Sequence, residues 1–438
     1  MSDEEQLQQQ PVLVNPHPVS NHPATTFGSQ DIPVLRKTAK QGSGKTIVPQ
    51  LNHELAMVLS QKGALHLERY EFHQAIEQFR RVIEMTSPQE EANHTDSFRT
   101  LSQQELQAIA LRGEAEAMHA LGQDEDAAAL VQQALSLLQT YPGAEVGDMP
   151  DWTQNLALSL LTQAKILQDR DLADAEVDYR RALEHLDAVI TKLDTQCPPQ
   201  IRLRMSVALA GFAELFLMQE QSSDALSLID RAQAVLQDST EALELHKLSD
   251  WRLQFARLQG QRCQALRIQG QLQAATQHNR EAETELAALQ EQFQEQDMPA
   301  LVVQAAVNLN EQAQILACTS RHEQAVAQLS SAVSILGNLQ ERLHENFGPH
   351  LQIMLARTHL QRASSELSMG QAHRAETSCQ QARPILEKLH NQEYTAHSTA
   401  LVQTLAESLV LQGKIFTHLG NSQAAMETFD QAANLLSA

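Results

Sequence analysis

Ala39-Lys40-Gln41-Gly42-Ser43-Gly44-Lys45-Thr46 has the spacing of a relaxed phosphate-binding loop. In such a loop glycines bare backbone N–H groups, a lysine reaches the outer phosphate oxygens and a threonine holds magnesium. That chemistry needs a buried strand before the loop and, after it, a helix whose N-terminus points at the phosphate. Pro49 stands three residues beyond Thr46 and disfavours a helix continuing from the loop, and no segment of the chain reads as a parallel sheet. The motif therefore reads as a flexible Gly/Ser linker, and a nucleotide-dependent enzyme would have to show itself by tight magnesium–nucleotide binding. Metal chemistry fares no better. The eighteen histidines are scattered, and the pairs His66/His73 and His390/His397 lie seven residues apart on different helices, without the i, i+4 spacing of two ligands on one face. Cys197, Cys263, Cys318 and Cys379 are separated by 66, 55 and 61 residues and read as reduced, helix-packing thiols. No catalytic residue, metal or cofactor is expected.

The elements that would position any site repeat along the chain. Ala75, Ala127, Ala175, Ala225, Ala275, Ala325, Ala375 and Ala425 recur at intervals of 52, 48 and then 50 residues. Seven residues after each comes a second small side chain: Val82, Ala134, Ala182, Ala232, Ala282, Ala332, Ala382 and Ala432. Two small residues two turns apart on one helix face admit a second helix at close range. Pro150, Pro199, Pro299 and Pro349 share a place in the repeat where a fixed φ and a missing N–H suit the first turn of a helix. Gly122, Gly270, Gly370 and Gly420 share another, where a helix ends in a left-handed residue and the chain reverses. Ser102 with Glu105, and Ser320 with Glu323, have capping-box spacing and would start a first and a second helix respectively.

Each unit thus reads as two helices of about 20–24 residues, ~30–36 Å long. The expected fold is an all-α, right-handed α-solenoid, a superhelix of about eight antiparallel helix pairs over residues 51–438. The units lie near 51–88, 102–140, 150–196, 199–238, 249–297, 299–345, 349–391 and 398–438. Residues 1–50 hold six of the fourteen prolines and a glutamine cluster, and read as a disordered tail.

At this point the residues resemble the tetratricopeptide repeat family. Leu59, Gly63, Ala75, Phe79 and Val82, followed by Pro88, match its signature positions in the first unit, as do Leu409, Gly413, Phe416, Gly420, Ala425, Phe429 and Ala432 in the last. Small residues hold the family's glycine position throughout: Gly63, Ala115, Ala164, Ala213, Cys263, Ala313, Ala363 and Gly413. The period of 50, longer than the family's usual 34, resembles the long-helix variants of kinesin light chains and some bacterial signalling regulators. The resemblance implies a concave groove lined by the first helices and binding a peptide or protein segment. The family's carboxylate clamp is not carried over, because Ser60 and Ala64 stand at its positions.

Two units depart from the apolar pattern. Unit five has Gln259 and Asn279 at core positions, and unit seven has His359, Glu366 and Cys379. Either these groups satisfy one another or the helices open there to water and a ligand. The same units carry Arg257, Arg262 and Arg267, and Arg357 and Arg362, on their first helices, with Asn310 and Gln314 of unit six between them. If the first helices line the groove, this is a cationic, amide-rich strip suited to a carboxylate or an acidic peptide. The competing reading is that the arginines make ion pairs within and between repeats.

The net charge of −22 falls entirely on the repeats, since residues 1–50 balance, and an acidic body repels nucleic acid. No apolar run reaches the length of a membrane helix, the N-terminus lacks the parts of a signal peptide, and the expected compartment is the cytoplasm. The function expected is a non-enzymatic interaction scaffold or adaptor. The alternative is a regulator that senses a peptide or small anion and changes superhelical pitch. The last helix has no closing helix after it, so Met426, Phe429 and Leu435 are expected to mediate self-association as a homodimer, or to capture a partner helix.

Overall fold

The computed structural model describes residues 47–87, 97–139, 149–240, 249–293, 298–392 and 398–437. The tail and the phosphate-loop-like motif, up to Thr46, lie outside the described residues, as does His397. Among the described residues sixteen α-helices form eight pairs. The first four are α1 (Ile47–Glu68) with α2 (Phe72–Thr86), α3 (Ser97–Ala120) with α4 (Asp124–Gln139), α5 (Pro150–Leu167) with α6 (Leu172–Leu193), and α7 (Pro199–Met218) with α8 (Ser222–Thr240). The rest are α9 (Ser249–Ile268) with α10 (Leu272–Gln292), α11 (Pro299–Cys318) with α12 (His322–Leu343), α13 (Pro349–Ser368) with α14 (Ala372–His390), and α15 (Thr399–His418) with α16 (Ser422–Ser437). No strand occurs among the described residues.

The periodic small residues do the packing expected of them. All eight alanines of the Ala75 series are at most 4% exposed, and their partners seven residues on are at most 3% exposed. In the first unit the Phe79 ring fills the space that side chains at Gly63 and Gly113 would take, with ring atoms 2.8 and 2.4 Å from where a Cβ would stand. Helix ends follow the punctuation. Pro150, Pro199, Pro299 and Pro349 each open a first helix. Gly122, Gly270, Gly370 and Gly420 all take the left-handed conformation, with φ of 75–79°, and Tyr70, Glu220 and Ser320 take it at the same repeat position.

Four local expectations need correction. Ser320 occupies that left-handed position, so Arg321 rather than Ser320 stands at the start of α12, with no side-chain cap. Ser102 lies inside α3, which begins at Ser97. Helix α1 begins at Ile47, so Pro49 sits in its first turn, where no intrahelical partner for its N–H is lost. The second helices of units one, two and eight, at 15 or 16 residues, are shorter than expected.

The coil closes on itself. Cβ addition at Gly348, just before α13, would meet the Ala120 carbonyl oxygen at the end of α3 at 1.8 Å. Beside it the His119 and His350 rings lie 4.9 Å apart, and His350 Nδ1 is 3.8 Å from Asp169. The His73 N–H donates to Asn346 Oδ1 at 3.3 Å, the Thr399 N–H donates to the Asp169 carbonyl at 3.2 Å, and Tyr70 packs against the Phe347 cluster. Turns of units one to three therefore meet the leading edges of units seven and eight along a seam.

Candidate functional site

Beside the seam lies a partly open lumen, and the first helices line it. A cavity of about 430 Å³ is bounded by Glu214 on α7, Asp250, Gln254, Arg257 and Gln261 on α9, Gln304 and Glu311 on α11, and Met354 on α13, with Tyr70 reaching in from the first turn. These helices present this face because their opposite faces carry the small residues that pack on the second helices. Burial shapes the electrostatics. Desolvation pushes the Asp250 carboxyl up to about 6, against a partly offsetting hydrogen bond from Ser249. Desolvation also raises Glu311, opposed by Arg267, and holds the Lys165 ammonium on α5 below the ordinary lysine range in a field shared with Glu116, Arg257 and Glu214. Lys165 is reached by water yet walled in by the surrounding helices. Tyr70 is half-buried, and desolvation raises its hydroxyl pKa.

The arginine strip divides. Arg257 lines the cavity and pairs with Glu214 at 2.8 Å, and Arg267 pairs with Glu311 at 3.0 Å. Arg357 holds the repeat position of Arg257 and bonds Thr404 Oγ1 at 2.8 Å and the Ala400 carbonyl at 3.4 Å. Neither Arg357 nor Lys165 has a carboxylate partner among the described residues. Asn310, at the repeat position of lumen-lining Gly260, donates to Thr358 at 2.9 Å and leaves its buried Oδ1 without a partner. Gln314 reaches Glu311 at 3.5 Å. Two arginines turn away from the lumen. Arg262 bonds Asp230 and Gln233 of α8, and Arg362 bonds Ser378 and Gln381 of α14 at 3.0 and 2.7 Å. Both side chains reach across to a second helix.

The polar core positions of units five and seven mostly satisfy one another. Gln259 meets His278 at 2.7 Å, the Cys263 thiol lies 3.8 Å from Asn279 Oδ1, and Ser378 donates to Glu366 at 2.7 Å. Asn279 Nδ2 and His359 Nδ1 remain buried without partners, and burial together with Arg362 drives His359 down to about 4. The four cysteines are free, three of them buried and Cys318 exposed. Among the described residues no three potential metal ligands converge, and no helix is long and apolar enough to cross a membrane. Sequence reasoning missed Lys165, Glu214, Asp250, Gln254, Gln261, Gln304 and Tyr70. The first six share the first-helix face of Arg257, a signal the repeat register contained; Tyr70 reaches the lumen only through the seam.

No protein-family model matches the chain, and no curated protein matches it. Solved structures of similar architecture include the apo form of RapI, at 12% identity over 87% of this chain and 98% of that one, with a TM-score of 0.49. A Rap protein complexed with Competence and Sporulation Factor is 11% identical over 88% of this chain and 98% of that one, with a TM-score of 0.46. TPR-like repeats of a putative kinesin light chain from Podosopora anserina are 17% identical over 55% of this chain and 96% of that one, with a TM-score of 0.32. Likenesses at this level concern architecture. The helix pairs, their buried small residues and their left-handed turns make this chain an α-solenoid of helix-pair repeats, similar to tetratricopeptide repeats in architecture.

Proposed function

We propose that the protein is a non-enzymatic, cytoplasmic interaction scaffold whose lumen holds an extended peptide or protein segment. The observation that carries this reading is the partly open, amide-lined cavity. Gln304 offers a donor and an acceptor of the kind that the backbone of an extended segment requires, and Gln254 and Gln261, whose amide groups donate to the Ser206 and Ala210 carbonyls, hold the wall beside it. Glu214 and Glu311 offset Arg257 and Arg267, so preference for acidic side chains falls to Lys165 and Arg357. The test uses a peptide selected from a random library on the wild-type protein and titrated calorimetrically. Replacing Arg257 and Arg357 together by Glu should weaken it at least ~10-fold with the circular dichroism spectrum unchanged, since Arg357 is exposed and Arg257 makes a partly exposed ion pair, and such charges contribute little to folding. Unchanged affinity would remove the lumen from the reading.

A second reading, a regulator that changes pitch on binding, is favoured by one feature, the seam. Any change in pitch must part Gly348 from Ala120 and His350 from His119. Small-angle scattering with and without the selected peptide separates the two readings: a scaffold keeps its radius of gyration, and a sensor changes it.

A further inference from the structure

The two end helices of the described solenoid carry exposed apolar stripes that complement one another. On α16, Met426, Phe429 and Leu436 are 66%, 38% and 65% exposed, at i, i+3 and i+10 on one face. Leu435, expected on this surface, instead packs inward against the last hydrophobic cluster, and Leu436 takes its place. One repeat earlier, the equivalents of Phe429 and Leu436 are Cys379 and Leu386, buried beneath α15. Cys379 touches Ser408 there, and Arg383, the equivalent of Ala433, bonds Gln412 at 2.6 Å. The exposed stripe of α16 is thus the face on which a following first helix stacks.

Helix α1 bears the matching face. Leu55, Val58 and Leu65 are 46%, 57% and 37% exposed, whereas their equivalents on α15, Leu405, Ser408 and Ile415, are buried, the last two completely. Lys62 continues the exposed stripe on α1 and Arg69 follows just past its end, while Glu427 and Asp430 flank the stripe on α16. The ends of a solenoid that faces water are normally polar. Here both are apolar at the stacking positions and opposite in flanking charge.

We propose that a second copy of this chain covers each end, α1 of one copy stacking on α16 of the next in the register that α15 keeps on α14. Phe429 then lies between Gly413 and the Val58–Lys62 stretch of the neighbour, as Phe79 lies between Gly63 and Gly113. Met426 faces Leu65, and Leu436 faces Leu55. The contact is head-to-tail, so each copy keeps one free face and the assembly grows. It does not depend on what the lumen binds.

Sedimentation velocity on the full chain tests this. The wild type should pass from 48.6 kDa through successive multiples as concentration rises. Val58→Glu, which spoils the head, and Met426→Glu with Leu436→Glu, which spoils the tail, should each remain at one chain. Mixing the two variants should restore a two-chain species and nothing larger, because one supplies a sound tail and the other a sound head. Should Val58→Glu lose helicity, Val58→Gln serves as the head variant. A wild type that stays monomeric at high concentration overturns the proposal, as does a Val58→Glu protein that dimerises like the wild type, the mark of α16 pairing with itself. A mixture that stays at one chain overturns it too.

Discussion

Tyr179 and Asn279 stand at the same place in the repeat, two units apart, and both are 1% exposed. Tyr179 stacks on Phe212 at 5.4 Å, wedges against Gly211 and still bonds Gln168 through its hydroxyl at 3.1 Å. Asn279 receives only the Cys263 thiol and leaves Nδ2 unpaired. The difference extends to whole halves of the molecule. One large hydrophobic cluster extends from Ala56 to Ala265, with a single small satellite around Leu111, Leu138 and Trp152, whereas the second half divides among several small ones. A repeat can thus keep its geometry on small residues alone while the fill between them sets its stability. The first half is built around one large core, and the second trades core for polar contacts near the lumen and the seam.

The contrast breaks first at Tyr179. Tyr179→Ala should cost about 3–5 kcal/mol and lower the denaturation midpoint of the first half, read by hydrogen exchange, because the neighbouring rings cannot collapse into the space. The equivalent change Asn279→Ala should cost far less. Acid acts on the other half. The His359 pKa, depressed from 6.5 to about 4 in the folded state, stabilises the fold fully above pH 6.5, and that stability is lost as pH falls through 4. The loss should be roughly 2–3 kcal/mol, and His359→Phe should flatten this part of the stability–pH curve.

Gly348→Ala sharpens the comparison by separating the halves. The new methyl group has only the Ala120 carbonyl to push against, so the seam must part at a cost of about 1–3 kcal/mol. Calorimetry should then resolve two transitions where the wild type shows closer coupling. The smallest effect runs in the opposite direction. Asn279→Leu removes an unsatisfied donor and should raise the stability of the second half by about 1 kcal/mol in chemical denaturation.

Much of this was legible in the chain because repetition reports nearest neighbours. The Ala75 series, the helix-opening prolines and the turn glycines all describe contacts within a unit or with the next one, and all are found in place. The arginine pairings were legible in principle, since Glu214 and Glu311 lie 43 and 44 residues from Arg257 and Arg267, close to one period. Ser102 and Ser320 misled because capping-box spacing is short and recurs by chance on a helix surface. The seam left no trace in the period. Its residues, among them Ala120, Asn346 and His350, sit in turns and leading edges outside the repeating pattern, and closure depends on the accumulated curvature of six units.

That seam also has an order in time. His73 and Asn346 are 273 residues apart, so their contact closes one of the longest loops in the chain. A ribosome delivers units one to four, with their large core, well before residue 346 emerges. Through that interval the groove is an open trough accessible from the side, and it becomes a lumen only when unit seven swings against unit two. On the proposed reading of the lumen, a bulky partner is threaded into the growing chain more easily than into the finished one, and the moment of synthesis becomes part of how the lumen is filled.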